Sequence, residues 1–185
     1  VKVMGGEDWQ LWMDQLREAG VLADGAVTVA YSYSGPEITF ALYRDGTIGR
    51  AKEHLEASAR TITESLASVN GRAYVSVNKA LVTRASAVIP AVPLYMAILY
   101  KVMKEKGTHE GTIEQIYRLF RDRLYTDGEP AVDSEGRIRI DDWEMDPAIQ
   151  AEVVEAWNSV TADNLTEIAD IAGFQRDFLQ IHGFG

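Results

Sequence analysis

Tyr31, Tyr33 and Tyr43, followed by Lys52, crowd into the stretch Val27–Leu66. A tyrosine hydroxyl is a proton donor with a pKa near 10, and a lysine cation beside it lowers that value toward use at neutral pH. Such a pair suits general acid catalysis. Lys52 is the sharper anomaly. Ile48, Lys52, Leu55, Ala59, Ile62 and Leu66 step by 4, 3, 4, 3 and 4 positions, which lines them along one face of a helix. All but Lys52 are apolar. Burying an unpaired ammonium is costly, so Lys52 needs a partner or a ligand, unless its long stem carries the charge back to water.

Reductases of the short-chain type use a tyrosine acid with a lysine that also holds the cofactor ribose. Tyr43 and Lys52 have eight residues between them. Nine positions turn a regular helix by about 900°, which leaves the two on opposite faces. Tyr43 is therefore expected on an irregular turn ahead of the helix, with Gly46 and Gly49 permitting the break. Tyr33 closes a β-prone run, Val27 to Tyr33, that Gly35-Pro36 ends. In parallel α/β sheets ligands bind beyond the carboxyl ends of strands, where Tyr33 and this turn would lie. Any one of these tyrosines is more often a core aromatic with a satisfied hydroxyl. The segment Asn78–Arg84 also follows a strand, and its backbone and Thr83 hydroxyl suit contact with a dinucleotide.

The elements that would position these groups read as follows. Trp9, Trp12, Met13 and Leu16 predict an amphipathic helix with Glu7 and Asp8 in its first turn, ending near Gly20. A strand at 27–33, the Lys52 helix and a second strand at 72–78 predict a βαβ unit with parallel neighbours. Helices are expected at 91–106, from Thr112 (with Gln115 as a capping box and Ile113, Ile116, Tyr117, Phe120 and Leu124 as an apolar face), from Asp146-Pro147 to about Val160, at 165–171 and at 174–181. Gly136–Ile140 reads as a short strand, half of a small hairpin. No repeat, low-complexity tract or domain-dividing linker appears.

The chain has 185 residues, a net charge of −10 and no cysteine. Its length suits one piece with a real core. The acidic balance argues against nucleic acid and membrane partners, and the lack of cysteine excludes disulfides and thiolate chemistry. The longest near-apolar run, 87–100, is too short to span a bilayer, and the start shows no signal peptide. A cytoplasmic location is expected. His54, His109 and His182 show no metal spacing, so no metal is expected. The acids Asp141, Asp142 and Glu144 read as a solvated cluster. No dinucleotide glycine fingerprint, P-loop or G-x-S-x-G is present. Val1 in place of Met suggests a missing upstream part.

Taken together, MGGEDWQLWMDQL, YSYSGPEIT, Tyr43-x8-Lys52, GTIGRAKEHLE, VNKALVT, IPAVPLY, LYKVMKEKGTHEG and IRIDDWEM resemble the C-terminal half of the trans-2-enoyl-ACP/CoA reductase family, over essentially the whole chain. The resemblance implies an α/β fold: half of a Rossmann-like parallel sheet with a mainly helical substrate or lid region, residues 1–185 forming the C-terminal catalytic piece of a larger enzyme whose glycine-rich cofactor half is absent. It implies NADH-dependent (less so NADPH-dependent) reduction of the 2,3-double bond of an enoyl-CoA or enoyl-acyl-carrier-protein in fatty acid synthesis, by a full-length enzyme that is a monomer. It makes Tyr43 the catalytic acid, Lys52 its cofactor-side partner and Tyr33 a substrate contact. It assigns Leu81, Val82 and Thr83 to the cofactor and segment 87–100 to a wall of the acyl pocket. Ser34 and Arg84 depart from the family pattern, where a larger apolar residue and a glutamine are usual. The competing readings are a non-catalytic α/β interaction module or fragment, and a ketone or alcohol dehydrogenase with the same Tyr/Lys logic.

Overall fold

The computed structural model describes residue 2 and residues 4–184. The chain's contacts divide into two compact units, one of residues up to Asn78 with Phe120–Ile140, the other of Lys79–Leu119 with the residues from Asp141 onward.

The first unit carries α1 (Glu7–Glu18), β1 (Val27–Ser32), α2 (Phe40–Tyr43), α3 (Thr47–Ser65), β2 (Arg72–Val77) and β3 (Arg137–Arg139). β1 and β2 run parallel in register from Val27↔Arg72 to Ser32↔Val77, as the βαβ reading expects. The apolar stripe of α3 behaves as its spacing demands. Leu55, Ala59, Ile62 and Leu66 are buried with Met13 of α1 and Ala73 and Val75 of β2 in one cluster, and Trp9 and Leu16 pack on its margin. Two hydrogen bonds dock the start of α1: Gly6 N–H donates to His54 Nδ1 (3.1 Å), and the Trp9 indole N–H donates to the Thr28 hydroxyl (2.9 Å).

β3 is a correction. The hairpin expected around residues 136–140 does not form; β3 joins the sheet as a third strand, parallel to β2 from Val75↔Arg137 to Val77↔Arg139. The alternation explains why: Ile138 and Ile140 share a face and both are fully buried, and Ile140 N–H bonds the Val77 carbonyl at 3.0 Å.

The second unit holds α4 (Val92–Glu105), α5 (Thr112–Leu119), α6 (Pro147–Ser159), α7 (Leu165–Ile168) and α8 (Ile171–Gln180). α4 is its core, touching both α6 and α8. Every side chain from Tyr95 to Tyr100 is buried. The part of the 87–100 segment that belongs to α4 is therefore core rather than the wall of an open pocket. Asp146 caps α6 as its Asp-Pro signal predicts, accepting from Ala148 N–H at 2.8 Å.

α5 reverses the expectation placed on it. Ile113 and Tyr117 of its apolar face are 77% and 62% exposed, while Gln115 and Arg118 are buried. The Gln115 amide bonds Lys79 N–H and the Glu110 carboxylate. Of the acids expected to be solvated, Asp142 is exposed, but Asp141 and Glu144 are turned inward and buried. Among the described residues no helix is long and apolar enough to cross a membrane, and no group of three or more metal-ligating side chains gathers.

Candidate functional site

Tyr33, Tyr43 and Lys52 meet in the first unit. β1 ends at Ser32, so Tyr33 is the first residue beyond the strand. Gly35 then turns the chain with φ +67°, and a Cβ there would stand 2.7 Å from the Tyr33 hydroxyl. Only glycine meets both demands. Tyr43 ends the single turn of α2, and Gly46 takes an extended conformation (φ −108°, ψ −165°) before α3 begins at Thr47. Tyr43 thus stands off the α3 helix, as the spacing argument requires. Gly49 has a different role from the one expected of it. It lies inside α3, where a Cβ would collide with the Arg44 carbonyl oxygen. Its lack of a side chain lets the α2–α3 connection fold tightly against the helix, which brings Tyr43 back over Lys52.

The Tyr33 and Tyr43 rings meet edge to face at 4.9 Å between centroids. The Lys52 Nζ lies 4.8 Å from the Tyr43 centroid and 5.5 Å from that of Tyr33, within cation–π range of both. Nζ is buried and has no hydrogen-bond partner. Desolvation lowers its pKa from 10.5 to about 8, with Glu56 one turn along α3 pulling the other way. The ammonium form therefore still dominates at neutral pH. Glu56 is itself held by Arg137 Nη1 at 3.2 Å, and Arg137 by Asp133. Tyr31, exposed on β1, takes no part.

An orphaned, buried ammonium is a donor set awaiting acceptors. Paired hydroxyl oxygens, such as those of a ribose, are acceptors of the chemistry it lacks. A cavity of about 590 Å³ in this unit is a separate notch lined by Glu56, Arg60, Tyr74 and Arg137 among others, and none of the three residues lines it.

Leu81, Val82 and Thr83 belong to the second unit. Thr83 is exposed, Leu81 half-buried and Val82 buried. Val82 N–H donates to the Tyr100 hydroxyl at 3.1 Å, and Thr83 N–H to Ser86 Oγ at 2.8 Å. Leu81 N–H and the Val82 carbonyl have no partner among the described residues, so main chain rather than the Val82 side chain is what this loop offers. Sequence reasoning missed the groups behind it: Gln115, Glu144, Tyr95 and Tyr100. The one signal was IRIDDWEM, where an acid lies among residues that bury.

Comparison with known proteins divides the chain differently from its two compact units. The family model described as the trans-2-enoyl-CoA reductase catalytic region matches residues 1–125, and one described as an enoyl reductase FAD binding domain matches 132–185. The chain is 63% identical over 184 residues to an enoyl-[acyl-carrier-protein] reductase [NADH] of Cytophaga hutchinsonii and 60% identical over 185 residues to a trans-2-enoyl-CoA reductase [NADH] of Brachyspira hyodysenteriae. In each case all of this chain is covered, but only 46% and 47% of the relative. The chain therefore spans about half the length of the curated relatives it matches. The crystal structure of Treponema denticola trans-2-enoyl-CoA reductase in complex with NAD superposes with a TM-score of 0.92 at 58% identity, covering 96% of this chain and 44% of that one. A cavity of about 260 Å³ within the span matched by the second description is lined by Phe174, Gln175, Phe178 and Leu179 of α8. The match over residues 1–125, the relatives' identities and the shared backbone agree: the chain belongs to the trans-2-enoyl-CoA reductase family.

Proposed function

We propose that this chain is the tyrosine- and lysine-bearing half of an NADH-dependent reductase of trans-2-enoyl thioesters, carried on CoA or on an acyl-carrier protein. The observation that carries the reading is the Lys52 ammonium, buried without a hydrogen-bond partner and facing the rings of Tyr33 and Tyr43. The relatives' printed names, reductases acting with NADH on enoyl-CoA or enoyl-[acyl-carrier-protein], support the reaction class. The other half of the enzyme is needed for the pyrophosphate, since no glycine-rich phosphate loop occurs in this sequence. β1 pairs only with β2 among the described residues, so its outer edge is open for the strands of that half.

The dinucleotide, when bound, supplies the hydride. As C3 of the enoyl thioester accepts it, the π electrons of the 2,3-double bond shift onto the thioester oxygen. The Tyr43 hydroxyl stabilises that developing oxyanion and supplies the proton that ends on C2, with Tyr33 as the second contact to the carbonyl. Hydroxyl donors held in place before the reaction lower its barrier because they need not reorganise as charge appears. Lys52 holds the ribose and presents a positive charge to Tyr43 throughout. Leu81, Val82 and Thr83 contact the nicotinamide end through the main chain: a free N–H and a free carbonyl one residue apart match the acceptor and donor of a carboxamide.

The test is Tyr43→Phe in the full-length enzyme, assayed by NADH oxidation with crotonyl-CoA. Loss of a general acid is worth about 10²–10⁴ in rate, so turnover should fall at least about a hundredfold with the fold intact. A Phe variant at wild-type rate would remove Tyr43 from the mechanism.

A further inference from the structure

Beyond the end of β2, the main chain of Lys79–Thr83 is held almost entirely by side chains of the second unit. Lys79 N–H donates to Gln115 Oε1 (3.0 Å), Ala80 N–H to Glu144 Oε2 (2.6 Å) and Val82 N–H to the Tyr100 hydroxyl (3.1 Å). The Ala80 carbonyl accepts from Lys79 Nζ at 3.0 Å. Behind these contacts the acceptors are themselves fixed. Tyr95 Oη donates to Glu144 Oε1 (2.7 Å), Gln115 Nε2 donates to Glu110 Oε2 (2.7 Å), and Arg118 grips both Glu110 oxygens (2.7 and 2.8 Å). Lys79, Tyr95, Tyr100, Glu110, Gln115, Arg118 and Glu144 are all buried.

The residue types follow from the polarity of these bonds. Glu144 stands between two donors, a main-chain N–H and a phenol, and so must be an acceptor at both oxygens. Gln115 stands between a donor and a carboxylate, a place that only an amide satisfies at both ends. Stapling helices together needs none of this, because well-packed apolar side chains do it as well or better than buried charges. What a polar network supplies that an apolar one does not is a fixed main-chain conformation in a segment without secondary structure. Four of its five N–H groups are engaged; that of Leu81 is left, with the carbonyls of Lys79 and Val82.

We propose that Glu144, Gln115 and Tyr100 are positioning residues for the dinucleotide, holding the Leu81–Thr83 main chain in its binding conformation before the cofactor arrives. The proposal rests on the reading of that loop as a cofactor contact. A loop ordered beforehand loses little conformational freedom on binding, whereas a loosened one must be ordered by the ligand and binds it more weakly. Tyr100→Phe removes one oxygen and leaves Val82 N–H without its acceptor. Glu144→Ala releases Ala80 N–H, while Glu144→Gln keeps an acceptor for it and can donate to Tyr95.

The experiment uses the full-length enzyme and two readouts: NADH affinity by fluorescence titration, with KM for crotonyl-CoA beside it, and hydrogen–deuterium exchange of the 79–84 segment with and without NADH. In the wild type, NADH should slow exchange in that segment. Tyr100→Phe and Glu144→Ala should speed exchange in the free enzyme and weaken NADH binding about fivefold to tenfold, the worth of roughly one hydrogen bond, with KM for the enoyl thioester within about twofold. Glu144→Gln should recover most of the affinity lost in Glu144→Ala. If Glu144→Ala does not fold, Tyr100→Phe carries the same comparison. No slowing of wild-type exchange by NADH would overturn the cofactor reading of the loop, and the proposal with it. Slowing in the wild type together with unchanged NADH affinity in a variant whose loop exchanges faster would overturn the positioning role alone.

Discussion

On the function proposed above, Lys52→Met should make the full-length enzyme more stable and inactive at once. The side chain sits on the apolar stripe of α3, and its Nζ is buried without a hydrogen bond. Burial lowers its pKa from 10.5 to about 8. At about 1.4 kcal/mol for each tenfold loss of proton affinity, holding the charged form in the fold costs about 3 kcal/mol, or about 2 when the remaining solvent contact of the side chain is discounted. The sign follows from proton binding. Between pH 8 and 10.5 the unfolded chain keeps the Lys52 proton and the folded chain does not, so stability rises with pH across that window. Below pH 8 the full cost is present. Methionine fills a similar volume without charge, so at pH 7 the variant should gain about 2 kcal/mol. The gain should shrink as pH rises from about 8 toward 10.5, where the wild-type lysine is neutral in both states. Urea unfolding at a series of pH values, followed by tryptophan fluorescence, reads this directly; NADH turnover should be lost in parallel. A variant that is less stable at pH 7, or a difference that does not vary with pH, would show that the ammonium is satisfied in the fold and would refute the reasoning that makes Lys52 a ligand-seeking group.

Two further outcomes test how the site and the second unit are built. Gly49→Ala should destabilise the protein by about 1–3 kcal/mol, although alanine is ordinarily the better helix former, because its Cβ collides with the Arg44 carbonyl. Turnover should fall with it as Tyr43 is displaced, and a stabilised, fully active variant would refute the close approach. Arg118→Leu should cost about 3–5 kcal/mol by leaving Glu110 buried without its cation; chemical denaturation of Arg118→Leu beside Arg118→Leu/Glu110→Leu checks it, since the double variant should recover part of the loss.

Local pattern determined much of this protein. The 4-3-4-3-4 spacing put Leu55, Ala59, Ile62 and Leu66 on one face of α3 and exposed Lys52 as the residue out of place. The periodicity of the helix was enough to exclude Tyr43 from it, and the β-prone runs around Thr28 and Val75 made a parallel pair. These conclusions rest on interactions between near neighbours and on one buried face, and such information is written along the chain. The tertiary structure alone decided the rest. Glu144 and Asp141 read as solvated acids, yet Glu144 is buried because its donor, Ala80 N–H, lies 64 residues away in the sequence. Gln115 and Arg118 turn inward and Ile113 and Tyr117 outward on α5, because Lys79 N–H and Glu110 supply the partners that the polar residues need. β3 chose a parallel place beside β2 over a hairpin. In each case a polar or short segment has no burial preference of its own. Distant groups set it by satisfying, or failing to satisfy, its hydrogen bonds.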